Sequence, residues 1–417
     1  MSASLVAAAR RLDDACFAAL RRLALEEGGV IERDDLSLLF FGRAEVLLLP
    51  GGLGEPADLA SVADRLDELW PDRAREWERP VAVGALPFLP DCPGSLFVPE
   101  LAVIRDGEGT VAITVGAPGA ADGLLASRLE RAARPSASAS VPDRFRLESA
   151  APHEDFLARV SAALSEIAAG RLEKVVLARE VVIEANRPFV QADLLERLRA
   201  LHPSCTTFCL DGFLGATPEL LVRRHGQEVT SDPLAGTAAR SGDPEADARL
   251  EAALYSSDKE RAEHRAVVDS ISSCLAPVTE RLEVPAGPEI VRLRNVSHLR
   301  TPISGRLAYR SGRLPTALEL VALVHPTPAV AGTPVGAALE YLEKNEHLDR
   351  DRYAGPIGWM RAGGDGAFYL GIRSALLEGA SARLFAGVGV VADSDPAAEL
   401  RETQLKLQAV LAAAVRP

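Results

Sequence analysis

An α+β architecture, with antiparallel strands grouped in blocks and helices packed outside them, is the fold class this sequence predicts. Three observations predict it. Strand-like segments come in runs, Thr206–Leu210, Glu219–Arg224 and Glu228–Ser231, then Gly355–Arg361, Gly366–Leu377 and Arg383–Val391, and do not alternate one by one with helices as a doubly wound parallel sheet requires. Gly363-Gly364-Asp365 supplies a hairpin turn between two of them. Helical segments such as the amphipathic Asp155–Ala169 and Pro244 to about Leu275 supply the helices that pack outside the sheet.

Taken in order, residues 3–27 carry apolar positions at helical spacing. Ala44–Leu49 reads as a short strand and Ala60–Trp70 as a helix. Strands follow over Val81–Phe88 and Leu96–Val115, the second interrupted by an Asp106-Gly107 turn. Residues 132–152 shift to Ala, Ser and Pro, which predicts a linker or exposed loop between an N-terminal part, 1–131, and a region 153–417 denser in signals. There Lys174–Glu184 reads as a strand and Gln191–His202 as a helix. A strand starts at Ile290, and helices span Pro315–Val324 and Val335–Glu346. Asp395 as N-cap and Pro396 at the first helical position start a last helix running towards Val415.

Composition limits the function classes. The chain has 417 residues, 47% of them hydrophobic, which suits a large buried core. Its 46 basic against 59 acidic side chains give a net charge of −13, so nucleic acid and anionic membranes are not expected partners. Five cysteines without a CxxC pair suit a reducing cytoplasm. Arg10-Arg11-Leu12-Asp13-Asp14 interrupts the apolar start, and no later run approaches the roughly 18 residues that span a bilayer. Histidines lack metal-ligand spacing, so any metal is expected to be a hard cation on carboxylates.

Several residues could carry chemistry. Glu399, Glu402 and Lys406 share one face of the last helix, and Glu260 and Glu263 share one face of the helix in Asp258-Lys259-Glu260-Arg261-Ala262-Glu263-His264. Facing each other, these helices would offer an oxygen-ligand site for Mg²⁺; solvated charged faces with a Glu402–Lys406 pair account for the same pattern. Lys174 opens an apolar strand, where burial would let it serve as a base or its stem could snorkel to water. Glu219 stands at a turn entering a strand, and Arg373 sits mid-strand in apolar company. A bound carboxylate or an internal salt bridge would satisfy that guanidinium equally.

The ordered segments KVVLAR, GATPELL, PLAGTAAR, DKERAEH, HLRTPI, HPTPAVAG, YAGPIGW, GIRSA, RLFAGVGVV and ELRETQLK resemble the chorismate-utilising enzymes, and among them the isochorismate synthases most closely. The resemblance runs almost continuously over 155–417; before it, only Val83–Phe88 (VGALPF) carries it. It implies two stacked antiparallel sheets flanked by helices, the aminodeoxychorismate synthase-like fold, completed by the N-terminal third.

It also implies roles. Lys174 would activate water and Glu219 would protonate the departing hydroxyl. Glu263 and Glu402 would ligate Mg²⁺, assisted by Glu260 and Glu399 through water. Arg373 and Tyr353 would grip the enolpyruvyl carboxylate, Lys406 would add positive charge, and backbone N–H groups at Gly387 and Gly389 would accept an anion. His298, Thr237, Ala329 and Val330 would complete the substrate site. The implied activity is Mg²⁺-dependent interconversion of chorismate and isochorismate, for menaquinone, siderophore or salicylate pathways, by a monomer without a glutamine amidotransferase partner. Salicylate synthases share Lys174 and the metal carboxylates and are the alternative; His325–Val330 favours isochorismate synthase, while Tyr353 also occurs in the lyase branch. Anthranilate synthases usually carry a non-basic residue in place of Lys174 and an early Leu-Leu-Glu-Ser motif missing here. Aminodeoxychorismate synthases keep a lysine where Ala235 stands. A non-catalytic chorismate-binding protein would be expected to have lost Lys174, Glu219 or a metal glutamate.

Overall fold

A computed structural model describes residues 5–70, 76–134 and 141–415. Strands pair antiparallel in a twelve-stranded sheet, a nine-stranded sheet and a three-stranded sheet. The two large sheets are the pair implied by the family resemblance. They face one another across a shared core in which Ile31, Phe40 and Phe208 of the larger meet Val83, Ile357 and Tyr369 of the other. The small third sheet, Leu234–Ala239 with Val296–Arg300 and Glu289–Arg292, was not expected. Strands of the N-terminal third are built into both large sheets: Gly29–Arg33 pairs with Thr206–Leu210, and Val81–Ala85 with Pro356–Arg361. No helix among the described residues is long and apolar enough to cross a membrane.

Several local expectations change. The helix expected over 3–27 is a strand, Val6–Arg11, followed by a helix, Asp14–Glu27; residues 3 and 4 lie outside the described residues. Asp13 accepts the Cys16 N–H at 2.7 Å and starts the helix there, while the alanine-rich segment before it is captured by Gly109–Gly116 of the sheet, so tertiary pairing overrides helix propensity. The stretch expected to connect the two parts, 132–152, holds the end of a helix, Ala121–Ala133, and a strand, Phe145–Ser149, on the edge of Val181–Ala185; its residues 135–140 lie outside the described residues. The long helical region breaks at Ser257 into Pro244–Ser256 and Asp258–Leu275, because the Ser257 hydroxyl caps the second helix at the Glu260 N–H, 3.3 Å away. The last helix, Pro396–Val415, starts as expected, with Asp395 accepting the Ala398 N–H at 2.8 Å.

Arg373 is not mid-strand. Gly366–Leu370 ends in the nine-stranded sheet and Ser374–Glu378 begins in the twelve-stranded one, and Arg373, at φ +51°, stands in the passage between them. The adjacent chain crosses at the same level: Phe213–Thr217 pairs with Ser374–Glu378, and Leu220–His225 pairs with Gly366–Leu370. Glu219 lies in that second passage. Both side chains therefore occupy gaps where ladder pairing is suspended, and the Leu370 N–H to Glu219 O and Ala216 N–H to Arg373 O bonds (each 3.2 Å) tie the crossings together.

Candidate active site

These crossings open into a cavity that encloses about 100 Å³. Glu219, Thr237, Glu260, Glu263, His298, Ala329, Val330, Tyr353, Arg373, Gly387, Gly389, Glu399, Glu402 and Lys406, all candidates from the sequence, line it. Lys174 stands just behind this wall and reaches it through Glu263, its ammonium 2.7 Å from Oε1. Larger hollows of about 490 and 550 Å³ lack this convergence of paired acids and lysines, so chemistry and not size picks out the site.

The floor is two neighbouring strands, Lys174–Ala185 and Ser381–Val390, in the register Val176↔Gly389 and Ala178↔Gly387. The N–H groups of Val176 and Ala178 point away from the glycine strand, to Ala331 O at 2.8 Å and Glu346 Oε1 at 2.7 Å. Their antiparallel partners, Gly387 and Gly389, must then point their own backbone groups the other way. On that side the glycine strand has lost its neighbour, since Ser374–Glu378 pairs with it only as far as Leu384. A strand edge outside the ladder thus faces the cavity; Lys406 donates to Gly387 O at 3.0 Å, and the Gly387 N–H donates to the Tyr353 hydroxyl. A Cβ at Gly389 would lie 2.6 Å from Lys174 Cε, and one at Gly387 3.1 Å from the Tyr353 hydroxyl. A methyl group at either position would press on the side chain that crosses the strand there.

Four glutamates converge from two helices, Asp258–Leu275 and Pro396–Val415. Burial alone would raise all four, but the ammonium of Lys174 holds Glu263 below the usual carboxylate range, and that of Lys406, 2.7 Å from Glu402 Oε1, does the same for Glu402. Glu260 and Glu399 stay raised by burial, reinforced by the neighbouring Glu263 and Glu402 charges respectively. The Thr237 N–H fixes Glu260 Oε2 at 3.0 Å. Among the described residues no three histidine, cysteine or carboxylate side chains form a preassembled metal cage. The donor set still fits a hard cation that keeps waters and shares its shell with substrate oxygens: hard oxygen donors, two of them held anionic.

Glu219 is fully buried, and burial pushes its carboxyl up to about 8 against the opposing pull of the Leu234 N–H, Arg373, Lys174 and Lys406. It is a neutral acid at pH 7. Burial also lowers His298 to about 3, helped by Arg373. Its Nδ1 is 3.0 Å from Gly236 O, which can only accept, so Nδ1 carries the proton and Nε2 presents a lone pair to Arg373 Nη2 at 3.4 Å. His298 thereby aims the guanidinium without adding charge. Tyr353 stacks on Phe385 at 5.2 Å, and burial raises its hydroxyl to about 12, so it remains a neutral donor.

Sequence reading missed Lys259, exposed at the mouth beside Glu260, Glu399 and Glu402, although it lies inside the DKERAEH segment. It missed Arg350 as well, a lining residue whose surroundings depend on the fold. With Lys174, Lys406 and Arg373, Lys259 explains how a chain of charge −13 can hold an anionic ligand.

The chorismate binding enzyme family matches residues 91–415. A Pseudomonas aeruginosa protein named salicylate biosynthesis isochorismate synthase is 42% identical over 332 residues, 76% of this chain and 68% of the relative. Isochorismate synthase EntC of Escherichia coli K12 is 35% identical over 344 residues, 81% of this chain and 82% of the relative. The structure of MenF, the menaquinone-specific isochorismate synthase of E. coli, superposes with a TM-score of 0.81 at 25% identity, covering 99% of this chain and 94% of that one. Anthranilate synthase component I of Streptococcus pneumoniae shares the fold, with a TM-score of 0.73 over 90% of this chain and 92% of that one, at 23% identity. With Glu219 and Arg373 at two sheet crossings, paired glutamates brought to them on two helices, and its sequence matched over 91–415, the chain belongs to the chorismate binding enzyme family.

Proposed function

We propose that this protein is an isochorismate synthase that interconverts chorismate and isochorismate by adding water at C2 and expelling the C4 hydroxyl. The observation that carries the reading is a buried neutral acid, Glu219, on the wall of one small cavity lined by four glutamates, one of which, Glu263, is paired with Lys174 just behind that wall. Lys174, acting as the neutral amine after its ammonium proton has been given up, takes the proton of the attacking water, and Glu219 delivers its proton to the departing hydroxyl; each transfer contributes about 10²- to 10⁴-fold. Arg373, steadied by His298, and the neutral hydroxyl of Tyr353 bind the enolpyruvyl carboxylate, with the Gly387 and Gly389 N–H groups on the open strand edge beside them. Thr237, Ala329 and Val330 shape the remaining wall.

Glu263 and Glu402 would hold Mg²⁺ directly, with Glu260 and Glu399 acting through water. The split in their ionisation supports that division, since the first two are held anionic and the others are raised. When bound, the ion neutralises and orients the ring carboxylate of the substrate. The same reading takes the enzyme as a cytoplasmic monomer that uses water and needs no amidotransferase to supply ammonia.

The test is chorismate plus Mg²⁺ with chromatographic separation of products, and lactate dehydrogenase coupling for pyruvate. An equilibrium mixture of chorismate and isochorismate, reached from either side with at most a trace of pyruvate, is expected. Stoichiometric pyruvate with fluorescent salicylate would make the protein a salicylate synthase, and ammonia-dependent anthranilate would move it to another branch.

A further inference from the structure

The strand that begins with Lys174 has an incomplete edge. Gly332–Thr333 pairs with it only at Lys174 and Val175, after which, among the described residues, no strand covers that side until Phe145–Ser149 begins at Val181. Two side chains take the place of the missing strand. Arg350 Nη2 donates to Val176 O at 2.6 Å, and Glu346 Oε1 accepts the Ala178 N–H at 2.7 Å. The two are joined to each other by paired bonds, Arg350 Nε to Glu346 Oε2 and Nη2 to Oε1, both 2.6 Å, and they are 4% and 3% exposed.

The same guanidinium reaches further. Its Nη1 donates to Val330 O at 2.9 Å, fixing the loop that puts Ala329 and Val330 on the cavity wall, and its plane lies over the Phe88 ring, 4.2 Å from the centroid. The Arg350 backbone carbonyl accepts the Tyr353 N–H at 2.7 Å. The connection carrying the pair holds three non-glycine residues at positive φ, His347 (+52°), Asp351 (+44°) and Ala354 (+61°), which the chain adopts only where its surroundings impose them. Removing both members of a buried ion pair in favour of apolar residues of similar volume is often neutral or stabilising, so stability alone does not account for this one.

We infer that Glu346 and Arg350 are positioning residues, which hold the Lys174 strand, the Ala329–Val330 wall and Tyr353 in one register without touching substrate. The inference rests on the proposed function, whose reacting groups these are. Neither residue is bonded to the glutamates on Asp258–Leu275 and Pro396–Val415, which the clamp reaches only through the Lys174–Glu263 pair, and that separation makes it testable.

The double variant Glu346→Met/Arg350→Met removes both charges, and Arg350→Lys keeps the charge but cannot reach Val176 O, Val330 O and both Glu346 oxygens together. Displacing reacting groups by about 1 Å costs on the order of 10²-fold in rate. For the double variant we expect a melting temperature near that of the wild type and kcat for chorismate isomerisation at least tenfold lower. Its KM and its Mg²⁺ affinity by calorimetry should change less than kcat does, because Arg373 stays in place and the clamp reaches Glu263 only through Lys174. In Arg350→Lys, amide exchange should quicken in peptides spanning 172–180 and 327–333 and remain unchanged in the two glutamate helices. Wild-type kcat in a folded double variant overturns the proposal, as does a parallel loss of kcat, Mg²⁺ affinity and melting temperature. Should the double variant fail to fold, Arg350→Lys decides by the same kcat and exchange criteria. If the wild type itself does not isomerise chorismate, the functional reading fails, while unchanged exchange in Arg350→Lys would separately refute the clamp.

Discussion

Glu219→Gln isolates the buried acid, because it keeps the shape of the side chain and removes its ionisation. In the folded chain Glu219 releases its proton at about 8, against an ordinary value of 4.5 that applies when the chain unfolds. That difference corresponds to about 5 kcal/mol in favour of the neutral form. For a carboxyl raised by folding, the unfolded chain gives up its proton first, so stability falls as pH rises from about 4.5 and levels off above about 8. Glutamine has no such dependence. The Gln variant should therefore gain on the wild type by several kcal/mol between pH 5 and pH 9, the other ionisable groups being common to both. Urea unfolding followed by tryptophan fluorescence across this range measures the difference. Catalysis gives an independent reading: the protonated fraction falls from about nine-tenths at pH 7 to about one-tenth at pH 9, so wild-type turnover should drop about tenfold over that interval. A stability difference that stays flat with pH, or a rate that holds through pH 9, would refute the assignment of Glu219 as a neutral buried acid.

Three other outcomes follow from distances in the site. Lys174→Ala should lower kcat/KM for chorismate more than tenfold, a loss above about 1.4 kcal/mol, while chorismate binding remains measurable by calorimetry; smaller losses would remove it as the base. Gly389→Ala places a methyl group 2.6 Å from Lys174 Cε, and displacing the ammonium should cost on the order of 10²-fold in kcat with an unchanged circular dichroism spectrum. Wild-type turnover there would mean that Lys174 does not need its present path across the strand. Glu263→Gln and Glu402→Gln should each weaken Mg²⁺ binding far more than Glu260→Gln or Glu399→Gln in a magnesium titration, and equal effects would show that the direct and water-mediated ligands are misassigned.

Much of the site was legible in the chain because it rests on local rules. Glu260 with Glu263, and Glu399 with Glu402 and Lys406, are brought together by helical spacing alone, and Asp395-Pro396 starts the second helix where the spacing needs it. The glycines of the Ser381–Val390 strand announced a close approach, and Lys174 crosses at one of them. Arg373 shows the limit. Its apolar neighbours read as one continuous strand, and nothing in the segment signals that Leu370 and Ser374 belong to different sheets.

By itself, then, the sequence determined the α+β class, the order of the motifs and the helix faces that carry the acids, since each depends on residues within a few positions of one another. Only the tertiary structure decided which strand edges lie open, that Glu219 and Arg373 meet at paired sheet crossings, and that Arg350 and Glu346 complete the strand of Lys174 from more than 160 residues away. Those arrangements depend on long-range pairing. The ionisation of Glu219 belongs with them, because a carboxyl at a turn has an ordinary pKa until the assembled sheets exclude water from it.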